Sequence, residues 1–69
     1  MTNTKMLEAA IALSGLPKNV IAEKIGISRS AFFKKMRNES EFKATEIVKL
    51  QEILALTTEE RNRIFFCKV

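Results

Sequence analysis

The sequence predicts an all-α fold of five short helices, and three observations carry that expectation. Apolar residues recur three and four positions apart along the chain, and no segment shows the strict alternation of a strand. Gly15, Pro17, Gly26, Ser28 and Thr57 then divide the chain into pieces of helical length. In the first piece Leu7, Ala10, Ile11 and Ser14 share a face, and Gly15 tolerates the positive φ on which helices often end, so a helix is expected from about Thr4 to Ser14. Pro17 has a fixed φ and no amide proton to leave unpaired, which suits the start of a second helix carrying Val20, Ile21 and Ile25 and stopping at Gly26. Ser28 is placed to cap a third helix from about Arg29 to Arg37. The following NESEFKA reads as a loop anchored to the core by Phe42. Ile47, Leu50, Ile53 and Leu54 mark a fourth helix, and the three-residue separation of Thr57 and Glu60 is that of a capping box opening a fifth, which turns Ile64 and Phe65 inward.

Length and composition bound the function. Residues 1–69 are expected to form one small domain, with too little interior for a large enclosed active site. A hydrophobic content of 46% with interspersed charge belongs to a folding chain rather than a disordered one. No apolar run approaches the roughly 20 residues of a membrane span, and MTNTKMLEAA lacks the order of a secretory signal. The single cysteine, Cys67, has no partner for an internal disulfide, reads as a small apolar residue, and points to a reducing cytoplasm. With no histidine, two glycines that form no phosphate-cradling loop and no pairing of acids that suggests proton transfer, neither catalysis nor a cofactor or metal site is expected.

The net charge of +4 is concentrated. Between Lys18 and Lys43 seven bases stand against three acids, whereas the remaining residues balance at five and five. Charge gathered on one helix pair suggests a polyanion docking there, and a solvated basic face is the plainer alternative.

The segment Leu16 to Asn38 meets the physical needs of a helix-turn-helix. Where two helices cross steeply the residue between them must be small, as Ala22 is; the turn needs a residue tolerant of the left-handed region, Gly26, followed by an apolar plug, Ile27. Phe32 and Met36 close the core from the third helix, whose opposite face carries Ser30, Lys34 and Arg37 with Ala31 and Phe33 at its flanks and Arg29 in its first turn.

On Ile21-Ala22, Ile25-Gly26-Ile27-Ser28-Arg29-Ser30, Phe42, Glu46-Ile47 and Ile64-Phe65-Phe66, the chain resembles the lambda-repressor-like family, the Cro/cI or XRE type, over roughly Leu7 to Phe66, and is most similar to its short phage-encoded members. Lys35 departs from the family pattern, which often has an apolar residue there, and Met36 is expected to take over that packing. The resemblance implies a compact five-helix DNA-binding domain in a bacterial host, with Arg29, Ser30 and Lys34 reading base edges in the major groove and Ala31 or Phe33 meeting a thymine methyl. It also implies phosphate contacts from Lys18 and Asn19 at the start of the second helix, and from Arg37, Asn38 and Lys43 on the other side. Ser28 is first a cap and second a phosphate contact.

Phe65 and Phe66 are adjacent and cannot both face one core from a single helix. Two arrangements follow: one of the two rings stays partly exposed and mediates self-association, with Phe33, Phe65, Phe66 and Val69 as the candidate contacts, or the tail folds back over the first helix and covers both. A dimer would place two third helices about 34 Å apart, one turn of duplex. Two functions therefore stand: a phage or prophage regulator that binds operator DNA, or a protein-binding module, either an antirepressor that engages a partner repressor or an antitoxin, for which Phe33, Phe65 and Phe66 are the contacts.

Overall fold

Every expected helix forms, and each boundary has a local cause. The computed structural model describes residues 1–66, which form α1 (Thr4–Ser14), α2 (Lys18–Ile25), α3 (Arg29–Met36), α4 (Ala44–Ile53) and α5 (Thr58–Phe65), with no strand among the described residues. The Asn3 side chain caps α1 by accepting from the Met6 amide, and Gly15 closes it at φ 72°. Pro17 is the extended residue that precedes α2. Ser28 Oγ accepts from the Ala31 amide at 3.1 Å and so caps α3. At α5 the capping box is complete: the Glu60 amide donates to Thr57 Oγ1, and the Thr57 amide donates to the Glu60 carboxylate.

The ends of α2, α3 and α4 share one device. At Gly26 (φ 81°) the Gly26 amide reaches the Glu23 carbonyl and the Ile27 amide reaches the Ala22 carbonyl, a pair of bonds that turns the chain sharply into α3. The same pattern ends α3 one residue before the expected Arg37: Asn38 takes φ 63°, its amide donates to the Lys35 carbonyl, and the Glu39 amide donates to that of Lys34. At the end of α4, Ala55 adopts φ 53° between the corresponding bonds to Glu52 and Gln51. Asparagine visits this region readily; alanine does so against a steric cost of roughly 1–2 kcal/mol.

One core joins the five helices. Leu7, Ile21, Phe32 and Leu50 are completely enclosed, each burial stabilising by about 1.5–3 kcal/mol, and Ile11, Ala22, Ile25, Met36, Ile47, Leu54 and Ile64 surround them. Phe42 anchors the loop after α3 as expected, its ring edge-on between Phe32 at 6.0 Å and Phe65 at 5.4 Å. α2 lies against both α3 and α4, while α5 lies against α1 and α4. The N-terminal residues tie two ends of the fold together: the Asn3 amide donates to the Ile64 carbonyl, Thr4 Oγ1 donates to the Met36 carbonyl, and Thr2 pairs in both directions with the Asn38 side chain.

Two sequence expectations change. Lys35, one of the seven bases counted between Lys18 and Lys43, is buried beside Met36 and donates to both carboxylate oxygens of Glu46. The alternative in which both C-terminal rings are covered fails for Phe66, which is 57% exposed while Phe65 is buried. Val69 and Cys67 lie outside the described residues.

Candidate nucleic-acid interface

α3 is sharply divided. Phe32, Lys35 and Met36 point into the protein, and Arg29, Ser30, Lys34 and Arg37 are exposed. The first set is fixed by the core, so the second must face outward: on a helix the three- and four-residue spacing that buries Phe32 and Met36 turns the remaining positions away. Ala31 and Phe33 are half-buried at the edges of this face. The expected base-reading residues are therefore presented together on one short, rigid helix. No carboxylate lies within 4 Å of the cationic groups of Arg29 or Lys34 among the described residues.

The flanking positions have more mixed surroundings. Lys18, half-buried at the first turn of α2, forms a 2.8 Å ion pair with Glu8 of α1. Asn19 beside it and Lys43 before α4 are exposed. Arg37 pairs with Glu39, and this guanidinium, by hydrogen bond and by charge, holds the Glu39 carboxyl below its ordinary range. Asn38, expected at the DNA backbone, has its side chain engaged with Thr2 at 2.8 and 3.0 Å and serves the fold. Ser28 is exposed, with its hydroxyl oxygen accepting from α3. Lys24, on the exposed side of α2, adds a cation that the sequence reading did not assign to a contact.

Phe33 is the centre of an arrangement that spacing did not disclose. Lys18 Nζ stands 5.7 Å and the Arg29 guanidinium carbon 5.6 Å from its ring centroid, within the range of cation–π attraction. Its ring is set against Phe32, 6.3 Å away and inclined at 62°. The four-residue step from Arg29 to Phe33 was a readable signal, since such pairs are neighbours on a helix. The approach of Lys18, fifteen positions earlier in the chain, was not.

The electrostatics of the face are trimmed from behind. Lys35 and Glu46 neutralise one another within the fold, and Glu8 draws on Lys18, so two acids from outside the basic segment cut its local excess. Burial pushes the Glu46 carboxyl up, but the Lys35 ammonium and the Lys43 backbone amide outweigh it and hold the pKa below 4.5. On the outward face of α3, Arg29 and Lys34 remain as cations, while Arg37 is paired with the exposed Glu39.

Elsewhere the surface is apolar in places. Phe66 borders a groove with Met1, Phe42, Ile47 and Phe65, and Leu13 on α1 is 89% exposed. No described helix is long and apolar enough to cross a membrane. Compared with protein-family models, curated proteins and solved structures, the chain finds no match.

Proposed function

We propose that this chain is a sequence-specific DNA-binding transcriptional regulator of the lambda-repressor-like type, with α2 and α3 as its helix-turn-helix and α3 as the helix that enters the major groove. The observation that carries the reading is the division of α3: an outward row of Arg29, Ser30, Lys34 and Arg37 backed by a buried row of Phe32, Lys35 and Met36. Arginine and lysine donate to guanine O6 and N7, serine donates or accepts, and the helix is fixed by the core before DNA arrives. The sharp turn at Gly26 and the enclosed Ala22 support the motif. Lys18, Asn19, Lys24, Arg37 and Lys43 supply phosphate contacts around it. By the resemblance to short phage-encoded members of that family, the protein would act in the cytoplasm of a bacterial host on phage or prophage operators.

The exposed Phe66 and its groove favour a homodimer whose two α3 helices meet half-sites one helical turn apart. The same ring supports the second reading, a module that binds a partner repressor as an antirepressor, or a toxin as an antitoxin. The cationic face of α3 weighs against mimicry of DNA, which would need acids there.

Selection from a randomised duplex pool at low and near-physiological salt tests the reading. Enrichment of a pseudo-palindrome with half-sites one turn apart is expected. Retention without enrichment, lost steeply with salt, would reduce the interaction to phosphate contact. No retention at either salt would overturn DNA binding.

A further inference from the structure

We infer that Arg29 and Phe33 act as one reading unit for a 5-methylpyrimidine–guanine step, which in unmodified DNA is TpG. The inference rests on the DNA-binding reading and adds the chemistry of the step recognised. Phe33, half-buried at the edge of the outward face of α3, is the largest apolar side chain there, and the exposed row beside it, Ser30, Lys34 and Arg37, is polar. Its ring lies edge-on to the buried Phe32 at 6.3 Å, and two cations stand near its centroid, the Arg29 guanidinium at 5.6 Å and Lys18 Nζ at 5.7 Å. A planar cation resting on an anchored ring loses little freedom when it binds, and its fork remains available to donate in pairs.

The natural acceptor for that fork is guanine, through O6 and N7. The group best matched to Phe33 in the groove is apolar, because a ring offers a base amine or carbonyl only a weak contact in place of the hydrogen bonds it makes with water. The 5-methyl of thymine is the one apolar group the four ordinary bases present in the major groove. A pyrimidine on the 5′ side of the guanine carries that methyl toward a guanidinium bound to the guanine, and so toward the ring beneath it. Cytosine lacks the methyl; 5-methylcytosine restores it without changing the hydrogen-bonding groups. The unit should therefore treat TpG and 5-methyl-CpG alike and discriminate against CpG.

The test is selection from one randomised duplex library prepared in two forms, with cytosine and with 5-methylcytosine throughout, using the wild-type protein and Phe33→Ala. For the wild type a motif containing TpG is expected in the first library. In the second, methylated CpG should join TpG, with an affinity about fourfold above its unmethylated counterpart for each methyl buried. Phe33→Ala should keep the guanine and lose the preference for the methyl. A wild-type motif without TpG, or one indifferent to cytosine methylation, overturns the inference while leaving DNA reading intact, and the wild-type comparison needs no variant to fold. A methyl preference unchanged in Phe33→Ala also overturns it. Failure of both libraries to yield any motif overturns the DNA reading itself and this inference with it.

Discussion

Lys35 on α3 and Glu46 on α4 form a buried ion pair, the ammonium 2.6 and 2.8 Å from the two carboxylate oxygens, at residue exposures of 9% and 6%. The carboxylate also accepts from the Lys43 amide at 2.9 Å, so one group caps α4 and fixes the back of α3. A buried pair repays the desolvation of its charges only when hydrogen bonds take up its polar atoms, and here both carboxylate oxygens accept from the ammonium while one also accepts from the Lys43 amide. The pair contributes less to net stability than to where α3 sits and which of its faces is turned out.

Removing one partner should therefore cost far more than removing both charges. Lys35→Met leaves the Glu46 carboxylate buried and unpaired and is expected to destabilise by about 3–5 kcal/mol. Lys35→Met with Glu46→Gln keeps a capping side chain without charge and should recover most of that loss. Urea unfolding of the three proteins measures both; equal destabilisation of the single and double variants would show that the charges are not coupled.

The same pair sets a pH dependence. Glu46 has a folded pKa below its ordinary 4.5, so its contribution is fully present above that value and is lost as pH falls through the lowered one. The exposed Glu39 and Glu60, also lowered, act in the same direction. Stability should fall below about pH 4.5, and Glu46→Gln should flatten that fall more than Glu60→Gln does. Thermal melts across this range check it, and an identical acid limb in Glu46→Gln would contradict the assignment.

Ala55 offers a gain. Glycine at its φ of 53° relieves the left-handed strain, and nothing about the Ala55 side chain belongs to the core. Ala55→Gly is expected to stabilise by about 0.5–1 kcal/mol after the added freedom of the unfolded chain is counted. An unchanged or lowered urea midpoint would mean that the turn tolerates alanine without cost.

Asn38 separates a structural role from a DNA contact. Asn38→Gly keeps the φ of 63° and removes both bonds to Thr2; Asn38→Ala removes the bonds and adds strain. Stability should fall in the order wild type, glycine, alanine. Duplex affinity, measured where each variant is folded, should change little, and a clear loss of affinity in folded Asn38→Gly would return the residue to the interface.

What was legible in the sequence was local. Gly15, Gly26, Ser28 and the Thr57–Glu60 box are signals contained within one turn of chain, and each stands where it was expected. The outward row of α3 was legible because helical periodicity fixes it once Phe32 and Met36 are inside. The Lys35–Glu46 pair was not, since each residue alone reads as a surface charge and their meeting depends on how α3 and α4 pack. The union of Thr2 with Asn38 spans 36 positions and has no periodic signature. The left-handed Ala55 was hidden for the opposite reason: the residue gives no warning, and the turn imposes its conformation.

Readout by α3 is tested most directly by comparing Lys34→Ala with Arg63→Ala on the duplex selected by the wild-type protein. Both substitutions remove one exposed cation, the first from the outward face of α3 and the second from α5, where it pairs with Glu59. Lys34→Ala is expected to weaken binding by roughly tenfold or more and to relax selection at one position of the motif, while Arg63→Ala leaves both nearly unchanged. Equal losses from the two substitutions, or a Lys34→Ala protein that binds the same motif as tightly as wild type, would contradict readout by α3.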